Sequence, residues 1–465
     1  MERKAFIFLF IGYVGFSLLG ALLLLLPVSR TGPLSFSDAF FTSTSALCVT
    51  GLIVKDTPVF FTLFGKFVIL TLIQLGGIGY MTVAGIFLHR LRRSLMFPEM
   101  MAQGFPELKP GFAFFFARRV IIYTIVIESL GAFFLFLAFL KYYEPPLAFK
   151  HAVFQSISAF CNAGFSTFSD SLVGFRGDVW VNLIVILLII CGGLGFFVMN
   201  EIKDYLSYKF RGLGLPSGRG KRFTEQGVKI FRFSTHTKGV FTWTLLLVIA
   251  GFVLIFLLEH NQGFASFTPL EKILASLFQS VTPRTCGFNT VDFARITPAT
   301  LCFVMFLMYI GGSPGGTAGG VKTNTFALVF LWIIHYLKGY KNVYLFKRKI
   351  PDTTVEKALI IVLLSISLLV ITSFLIFAFD SRVFQYHNPI EVMFEVFSAF
   401  GTVGLSTGSR LYSNVSLSAD FIVLSRWIII VLMLVGKIGI LSLATYMIEK
   451  SKVEIGYPED RYIVG

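Results

Sequence analysis

The sequence predicts an all-α integral membrane protein built from four tandem repeats. Each repeat is a span, a short re-entrant segment and a second span, arranged with pseudo-fourfold symmetry around one axis. Of the 465 residues, 55% are hydrophobic and 14% are charged, whereas soluble domains carry roughly 25% charged residues. Apolar stretches long enough to cross a bilayer recur along the chain, and a motif ending in glycine occurs four times. So much apolar sequence excludes a disordered chain, and five cysteines are too few for a secreted disulfide scaffold.

Eight apolar stretches are predicted to span the membrane. Their even number puts both termini on the same side. The first stretch exceeds the 7–15 apolar residues of a signal peptide, and no small-residue cleavage site follows it, so we expect it to be retained. The stretches lie near residues 5–26, 66–88, 120–140, 179–199, 240–258, 298–336, 358–379 and 419–447.

Lysine and arginine are distributed unevenly between the two sides of these spans. The termini and the loops near 89–119, 201–238 and 337–357 hold 26 of the 40, and the opposite segments hold 10. Because positive residues stay on the cytoplasmic side, we expect a multi-pass plasma-membrane protein, in a bacterial inner membrane, with both termini in the cytoplasm. The net charge of +15 then follows from topology. The expected surroundings are a lipid bilayer and not nucleic acid, because no basic patch carries stacking aromatic residues.

The glycine motif defines an internal repeat, which has to be recognised before any fold is assigned. In three copies Phe stands ten residues before Gly, and Ser-Ala stands six and five residues before it. These copies are Phe41–Gly51, Phe154–Gly164 and Phe394–Gly404; the third copy in the chain, Phe278–Gly287, is one residue shorter and lacks Ser-Ala. A second glycine signature follows each copy: Gly76-Gly77-Ile-Gly79, Gly192-Gly193-Leu-Gly195, Gly311-Gly312 and Gly436-Lys-Ile-Gly439.

A short helix that stops inside the membrane is predicted before each glycine. Asn388-Pro389-Ile-Glu391 has the pattern of an N-cap, a proline at the first helical position and a capping-box acid. Thr268-Pro269-Leu-Glu271 has the same pattern in the third copy, with one extra helical turn expected. Ser35 to Asp38 is a weaker version, and the second copy has none. About ten helical residues rise only ~15 Å, half the hydrocarbon thickness, so irregular backbone must follow, buried or lining water.

Backbone carbonyls that face water at this depth can replace the hydration shell of a monovalent cation. Four such loops would surround one axis, and glycine is needed where a side chain would obstruct the backbone or the lumen. Thr402-Val403-Gly404 is closest to the Thr-Val-Gly of potassium-channel filters, and no copy carries an acidic ring residue. The expected selectivity-filter residues are Val49, Thr50, Gly51, Asn162, Ala163, Gly164, Thr285, Cys286, Gly287, Thr402, Val403 and Gly404.

With these four P-loops and a Gly-rich motif in the third repeat, the chain resembles the Trk/Ktr/HKT superfamily of potassium transporters, most closely its Ktr-type ion-translocating membrane subunit. The resemblance covers essentially the whole chain, including the tail Tyr457–Gly465. It implies potassium uptake driven by the membrane potential, a homodimer with one pore per subunit, and a cytosolic ring of RCK-type nucleotide-binding regulatory subunits. K+ is the expected substrate at the filter, with Na+ as a candidate activator or coupling ion; neither a covalent cofactor nor a transition metal is expected.

The sixth span is interrupted by Gly311–Thr323, in which six glycines and a proline prevent a continuous helix. It is not a phosphate-binding loop, because Val321 separates Gly320 from Lys322 and no strand precedes it. We expect a flexible plug below the filter, which in the resembled family is an intramembrane gating loop; a helix-packing break is the alternative. The expected gating residues are Gly311, Gly312, Ser313, Pro314, Gly315, Gly316, Thr317, Ala318, Gly319, Gly320, Lys322 and Lys437.

Charges within the spans have separate interpretations. Lys437 stands where the resembled family usually has Arg, and a buried cation costs about 3 kcal/mol to insert. We expect it to form an electrostatic barrier to free flow, with a snorkelling lysine as the alternative. Glu128 and Arg426 are expected to form a structural ion pair rather than to contact the pore. Lys66 is expected to snorkel outward.

These elements divide the chain into four repeats and their connections. Loops 89–119 and 201–238 are expected to dock a soluble partner, with plain positive-inside linkers as the alternative. We do not expect an enzyme, because no Ser/His/Asp set is apparent. The rival functions are a sodium or ammonium transporter on the same fold and, more distantly, an ATP-driven transport subunit. The expected divisions are repeat 1 (1–90), a cytosolic loop (91–118), repeat 2 (119–201), a cytosolic loop (202–238), repeat 3 (239–337) with its intramembrane loop (311–322), a cytosolic loop (338–357), repeat 4 (358–447) and a cytosolic tail (448–465).

Overall fold

Helices make up most of the computed structural model, which describes residues 2–79, 110–211, 221–223 and 229–440. The first half contains α1 (Glu2–Leu25), α2 (Phe36–Leu47), α3 (Thr57–Phe60), α4 (Leu63–Ile78), α5 (Pro110–Phe139), α6 (Pro145–Cys161), α7 (Val179–Leu194) and α8 (Phe196–Arg211). The second half contains α9 (Thr235–Glu259), α10 (Pro269–Val281), α11 (Pro298–Tyr309), α12 (Thr323–Leu337), α13 (Asp352–Phe379), α14 (Pro389–Gly401) and α15 (Val423–Ile438).

Strands are confined to two small antiparallel hairpins. The first pairs β1 (Lys221–Phe223) with β2 (Lys229–Phe231), and the second pairs β3 (Tyr344–Leu345) with β4 (Arg348–Lys349). Short 3₁₀ helices occupy Pro27–Ser29, Val173–Phe175, Phe293–Arg295, Ser381–Gln385 and Leu417–Ala419. Both hairpins lie in loops between helices, and no strand residue of the second hairpin is buried.

Several helices are apolar enough to cross a bilayer. Three pass by length and composition alone within the described residues: Phe116–Phe139, Thr235–Glu259 and Asp352–Phe379. A fourth candidate is the pair α7 and α8, which bends by 102° at Gly195. Four further apolar helices are shorter, namely Phe10–Leu25, Leu63–Ile78, Pro298–Tyr309 and Thr323–Leu337. The protein is therefore a helical, multi-pass membrane protein, and the number of eight spans stays a prediction.

Some helices are shorter than the spans expected from the sequence, and one is longer. The span expected at 179–199 ends as a straight helix at Leu194, because Gly195 adopts φ +91° and the chain turns there. The helix that starts at Pro110 begins well before the expected stretch, because residues 112–117 are also apolar and only Arg118 and Arg119 separate them from it. Helix α15 also stops within its expected span, at Ile438, because Gly439 adopts φ +99°. Residues 80–88 of the second expected span, residues 441–447 of the eighth and the expected tail 448–465 lie outside the described residues.

The short helices α2, α6, α10 and α14 each lie between two longer apolar helices. The capping box expected at Thr268 and Glu271 is present, and Ser35 caps α2 by accepting from the Asp38 amide. The capping box expected at Asn388 and Glu391 is wrong: the Asn388 side chain makes no capping bond. The Glu391 carboxylate instead contacts His387 and Arg410.

The extra turn expected before Phe278 in α10 is present. Helix α10 begins at Pro269, one turn further from Phe278 than Pro389 of α14 is from Phe394. Both helices nevertheless contain 13 residues, because α10 also ends earlier, at Val281. The proline-and-cap signal therefore located the beginning of the helix, and nothing in it specified the end.

The buried core lies around the short helices, and each longer helix packs against it with one face only. Nearly all side chains of α2 are buried, as are most of those in the later parts of α6 and α14, including Phe41, Phe160 and Phe394. The long helices pack one face on them, as α1 does on α2 and α5 on α6. Their other faces expose large apolar side chains such as Phe374 and Leu257, an arrangement that suits a lipid solvent and not water.

Candidate functional site

The four motif glycines form a closed ring in chain order. A Cβ built on Gly51 would lie 3.1 Å from Gly164 Cα, one on Gly164 would lie 3.1 Å from Gly287 Cα, and one on Gly287 would lie 3.1 Å from Gly404 Cα. The ring closes between the last repeat and the first, because a Cβ on Gly404 would lie 2.9 Å from Gly51 Cα. A side chain at any of these positions would collide with the neighbouring segment, so glycine is required at all four.

The four segments also share one backbone conformation. Each ring glycine has a positive φ, between +68° and +96°. Two residues earlier, each segment has a non-glycine residue that also has a positive φ: Val49, Asn162, Thr285 and Thr402. Left-handed backbone is uncommon for ordinary residues and rarer for β-branched ones, and such strain persists only where the surroundings impose it. The recurrence of this feature in four copies marks the segments as one structural device.

A hydroxyl group at the end of each short helix holds the segment that follows. Ser45 Oγ accepts from Gly51 N at 3.1 Å, and Ser398 Oγ accepts from Gly404 N at 3.0 Å. In the second copy Ser158 Oγ donates to Phe165 O at 2.7 Å. The third copy has no serine at this position, and Thr282 Oγ1 donates to Phe288 O at 2.6 Å in its place.

Thr282 was missed by sequence reasoning. It stands five residues before Gly287, whereas the serines stand six residues before their glycines. The signal was present, because the shortened copy still had a hydroxyl residue one position away. Allowing a one-residue gap at the end of the helix would have found it.

The second glycine signature supports the ends of the short helices. A Cβ on Gly76 would collide with Leu47 O, one on Gly192 with Phe160 O, and one on Gly436 with Phe400 O. Each of these carbonyls stands four residues before its ring glycine. The backbone of the later helix thus packs directly against the end of the short helix, which explains why both signatures recur together.

In the third repeat an irregular segment, residues 311–322, separates α11 from α12. Its two ends are joined, since Gly311 N donates to Val321 O at 2.8 Å and Thr323 N donates to Gly312 O at 3.0 Å. Its middle packs against other repeats. Ser313 N donates to Gly193 O at 2.9 Å, and Gly320 N donates to Gly436 O at 3.2 Å.

The segment also lies directly against the ring. A Cβ on Gly319 would lie 3.1 Å from Thr402 Cβ, and one on Gly311 would lie 3.4 Å from Thr285 Cγ2. The glycines of residues 311–322 are therefore needed for close approach to the residues that precede the ring glycines. We call this segment the intramembrane loop.

Two partly buried lysines are bonded to the intramembrane loop. Lys437 Nζ donates to Thr317 O at 2.5 Å, from the last turn of α15. Lys322 Nζ donates to Ala318 O within the loop. Ammonium groups that bond to the carbonyls of one short loop hold its backbone against the neighbouring helices.

A cavity of about 470 Å³ opens onto the other side of the ring, away from the intramembrane loop. All four ring glycines line it, together with the residues that follow them. We call it the mouth cavity. Its charged lining residues are Asp56, Asp170, Asp292 and Arg410.

The charges expected to pair within the spans have other partners. Arg426 Nη1 lies 2.7 Å from Asp38 Oδ1, so the ion pair expected with Glu128 is wrong. Glu128 is buried and accepts from Gln74 Nε2 at 3.0 Å, close to Cys161 Sγ at the end of α6. Lys66 Nζ donates to Pro58 O at 2.7 Å. The apolar stretches identified these groups as buried, but spacing along the chain carries no signal for partners on other repeats.

Comparison with known proteins agrees with this geometry. The sequence model of the family TrkH, described as cation transport protein, matches residues 13–454. The Ktr system potassium uptake protein B of Bacillus subtilis (strain 168) is 34% identical over 98% of this chain and 95% of its own. The protein of the same name from Vibrio alginolyticus is 35% identical over 98% and 94%. The potassium/sodium uptake protein NtpJ of Enterococcus hirae is 32% identical over 98% and 96%.

A solved structure has the same fold. The crystal structure of the potassium transporter TrkH from Vibrio parahaemolyticus superposes with a TM-score of 0.72, covering 96% of this chain and 85% of that one. The two sequences are 20% identical. The likeness therefore extends over the whole arrangement of helices.

Proposed function

The chain belongs to the TrkH family of cation transport proteins, and from this premise we propose that it takes up potassium through the ring of Gly51, Gly164, Gly287 and Gly404. The observation that carries the proposal is that ring, closed in chain order and built from one repeated backbone conformation. A dehydrated monovalent cation needs several oxygen ligands around one axis. Four like segments that meet at their glycines offer such a set.

Backbone carbonyls next to the ring are the proposed ligands. The nearest atoms to a Cβ on Gly51 and Gly164 are Ala163 O at 2.5 Å and Cys286 O at 2.6 Å. The nearest atom to a Cβ on Gly287 is Val403 O, and the nearest to a Cβ on Gly404 is Thr50 O. The carbonyl of the residue before each glycine thus lies at the ring. The filter comprises these segments, residues 49–51, 162–164, 285–287 and 402–404.

Potassium is the substrate that the relatives support best, since two of them are named potassium uptake proteins. The name of a third includes sodium, which favours Na+ as a second ion, either coupled or activating. The driving force is the membrane potential, worth about 2.3 kcal/mol per charge per 100 mV. The mouth cavity faces outward, as the positive-inside distribution indicates.

The intramembrane loop is the proposed gate. It contacts Thr285 and Thr402 on the side of the ring opposite the mouth cavity, so an ion leaving the ring inward meets it first. Lys437 and Lys322 fix the loop by bonds to its carbonyls. The relatives' names describe a Ktr system, which supports a regulatory partner on the cytosolic side. We propose a homodimer that carries a ring of RCK-type nucleotide-binding subunits.

Uptake by purified protein in sealed vesicles tests the proposal. With an inside-negative potential, we expect uptake of rubidium, the usual tracer for potassium, and competition by K+ well above that by Na+ or ammonium. Gly164→Ala should abolish that preference, because its Cβ would meet Cys286 O. Gly15→Ala is the control, since a Cβ there meets nothing within 4 Å.

Other results would favour the rival functions. Ammonium competing better than K+ would indicate an ammonium transporter. Uptake that requires ATP but no potential, with ATP hydrolysis by the purified chain, would indicate a transport enzyme. Equal competition by Na+ and K+ in the unmodified chain would contradict a potassium filter.

A further inference from the structure

The mouth cavity has an asymmetric set of charges, although the four segments around it are alike. Five or six residues after its ring glycine, each of the first three segments places an aspartate in the cavity lining: Asp56, Asp170 and Asp292. The fourth segment places Arg410 there instead. A cation that approaches the ring therefore meets three acidic sides and one basic side.

Arg410 is held in position by two carboxylates. Its Nη2 lies 3.4 Å from Glu391 Oε1, at the first turn of α14. Its backbone N donates to Asp420 Oδ2 at 2.8 Å, and the neighbouring Ser409 Oγ donates to Asp420 Oδ1 at 2.5 Å. The guanidinium is exposed to the cavity, while Glu391 holds its Nη2 and Asp420 holds the backbone amide of the residue.

A buried histidine joins the two carboxylates. His387 Nδ1 lies 2.8 Å from Glu391 Oε2, and its Nε2 lies 2.8 Å from Asp420 Oδ2; the side chain is fully buried. A buried ring that contacts a partner through both nitrogens has one favoured orientation, so this bridge fixes the segment that carries Arg410.

We propose that Arg410 controls the access of cations to the ring: its fixed positive charge opposes the three aspartates and limits the local concentration of cations in the mouth cavity. This inference rests on the proposed function. A cleft with low-dielectric walls focuses the field of the charges that line it and changes the rate at which an ion arrives. The bilayer and the buried helices around the cavity supply such walls. Arg410 therefore affects the rate at which an ion reaches the ring and not the rate at which the ion passes through it.

This assignment predicts that a change at Arg410 alters the KM of uptake and leaves the maximal rate unchanged. Arg410→Gln should lower the KM for rubidium uptake by about threefold at low ionic strength, with an unchanged maximal rate. Arg410→Lys keeps the charge and should keep the KM. Asp170→Asn, which removes an exposed charge from another side of the same cavity, should raise the KM. Because the Debye length falls from about 30 Å at 0.01 M salt to about 3 Å at 1 M, both shifts should shrink as an impermeant salt is added.

The matched control is Arg382→Gln. Arg382 is exposed in the 3₁₀ helix just before α14 and does not line the cavity, so its loss should leave the KM unchanged. An Arg410→Gln variant with wild-type KM at low salt, or with a changed maximal rate that salt does not affect, would overturn the inference while leaving the proposed function intact. If the unmodified chain takes up no rubidium, the proposed function fails, and this inference fails with it.

Discussion

Arg426 and Asp38 join helix α15 to the short helix α2, across 388 positions of sequence. Arg426 Nη1 lies 2.7 Å from Asp38 Oδ1, and its Nη2 donates to Ala419 O at 2.6 Å. Both side chains are largely buried. A ring made of four segments in one chain has one junction that no covalent connection bridges, between the fourth and the first. This ion pair lies at that junction.

Loss of the acid at this junction should destabilise the protein. Asp38→Asn leaves the guanidinium of Arg426 buried without a counter-ion, which costs about 3 kcal/mol of unfolding free energy. Thermal unfolding in detergent measures the loss. Lys55→Gln is the control, because Lys55 is 3.9 Å from Asp38 and more exposed, and such pairs contribute less than about 1 kcal/mol. The double variant Asp38→Asn with Arg426→Met should be more stable than Asp38→Asn alone; equal loss in both would show that the pair is not the cause.

The ring should not tolerate a methyl group. Gly404 has φ +90°, and a Cβ there would lie 2.9 Å from Gly51 Cα. Left-handed backbone costs a residue with a Cβ roughly 1–2 kcal/mol, and the collision adds to it by moving the first segment. We expect Gly404→Ala to lose most of its preference for Rb+ over Na+ in uptake measurements. A variant that kept the wild-type ratio would contradict the glycine ring as the site of selection.

Thr282 provides a finer test of the same site. Thr282→Val removes the hydroxyl that donates to Phe288 O and leaves that buried carbonyl unsatisfied, at a cost of about 1–3 kcal/mol. If that cost falls on the filter geometry, discrimination between K+ and Na+ should fall by about tenfold. Thr282→Ser should restore it.

Thr71→Val is the matched control for Thr282→Val. The Thr71 hydroxyl donates to Phe67 O at 2.8 Å on an exposed face of α4, and Thr71 does not line the mouth cavity. We therefore expect it to transport as the unmodified chain does. Loss of discrimination in both valine variants would indicate a general effect of removing hydroxyls from membrane helices.

The sequence was sufficient to locate the ring because the requirement there is local. A positive φ and a close backbone approach both select glycine, so Gly51, Gly164 and Gly404 stand in one pattern with their serines and phenylalanines. The same pattern failed for Thr282, because a one-residue deletion moved the hydroxyl.

Partners between repeats were beyond the sequence for a different reason. The pairing of Arg426 with Asp38 and the contact of Lys437 with Thr317 O join residues more than a hundred positions apart. Helical periodicity shows which face of a helix is buried but not which repeat will cover it. The bend at Gly195 was also missed, because an apolar stretch looks the same whether or not the helix turns within it.

External acid should reduce uptake because it protonates Asp56. Burial raises the pKa of this carboxyl, and hydrogen bonds from Ser169 and Asn414, with the charge of Lys66, only partly offset the effect. As the pH falls, an aspartate with a raised pKa loses its negative charge at a higher pH than an ordinary aspartate does. Since Asp56 lines the mouth cavity, the KM should then rise.

Comparison of Asp56→Asn with the unmodified chain isolates this effect. With the vesicle interior buffered, the variant should have a raised KM already at neutral pH and a flatter dependence on external pH. Glu144→Gln, an exposed carboxylate at the start of α6 on the same side of the membrane but outside the cavity lining, should keep the wild-type profile. An unaltered acid response in Asp56→Asn would assign the titration to another group.

Release of the intramembrane loop should increase flux. Lys437→Met removes the ammonium that bonds to Thr317 O, and a hydrogen bond to a charged group contributes about 1.5–3 kcal/mol, so the maximal rate should rise by about tenfold or more. Deletion of residues 313–319 should do the same and weaken regulation by the cytosolic partner. Lys66→Met is the matched control, because Lys66 also bonds to a backbone carbonyl, Pro58 O, but on the side of the mouth cavity. A lower maximal rate in Lys437→Met, or unchanged flux after the deletion, would exclude the loop as the gate, since in either case removing the obstruction would have failed to open the path.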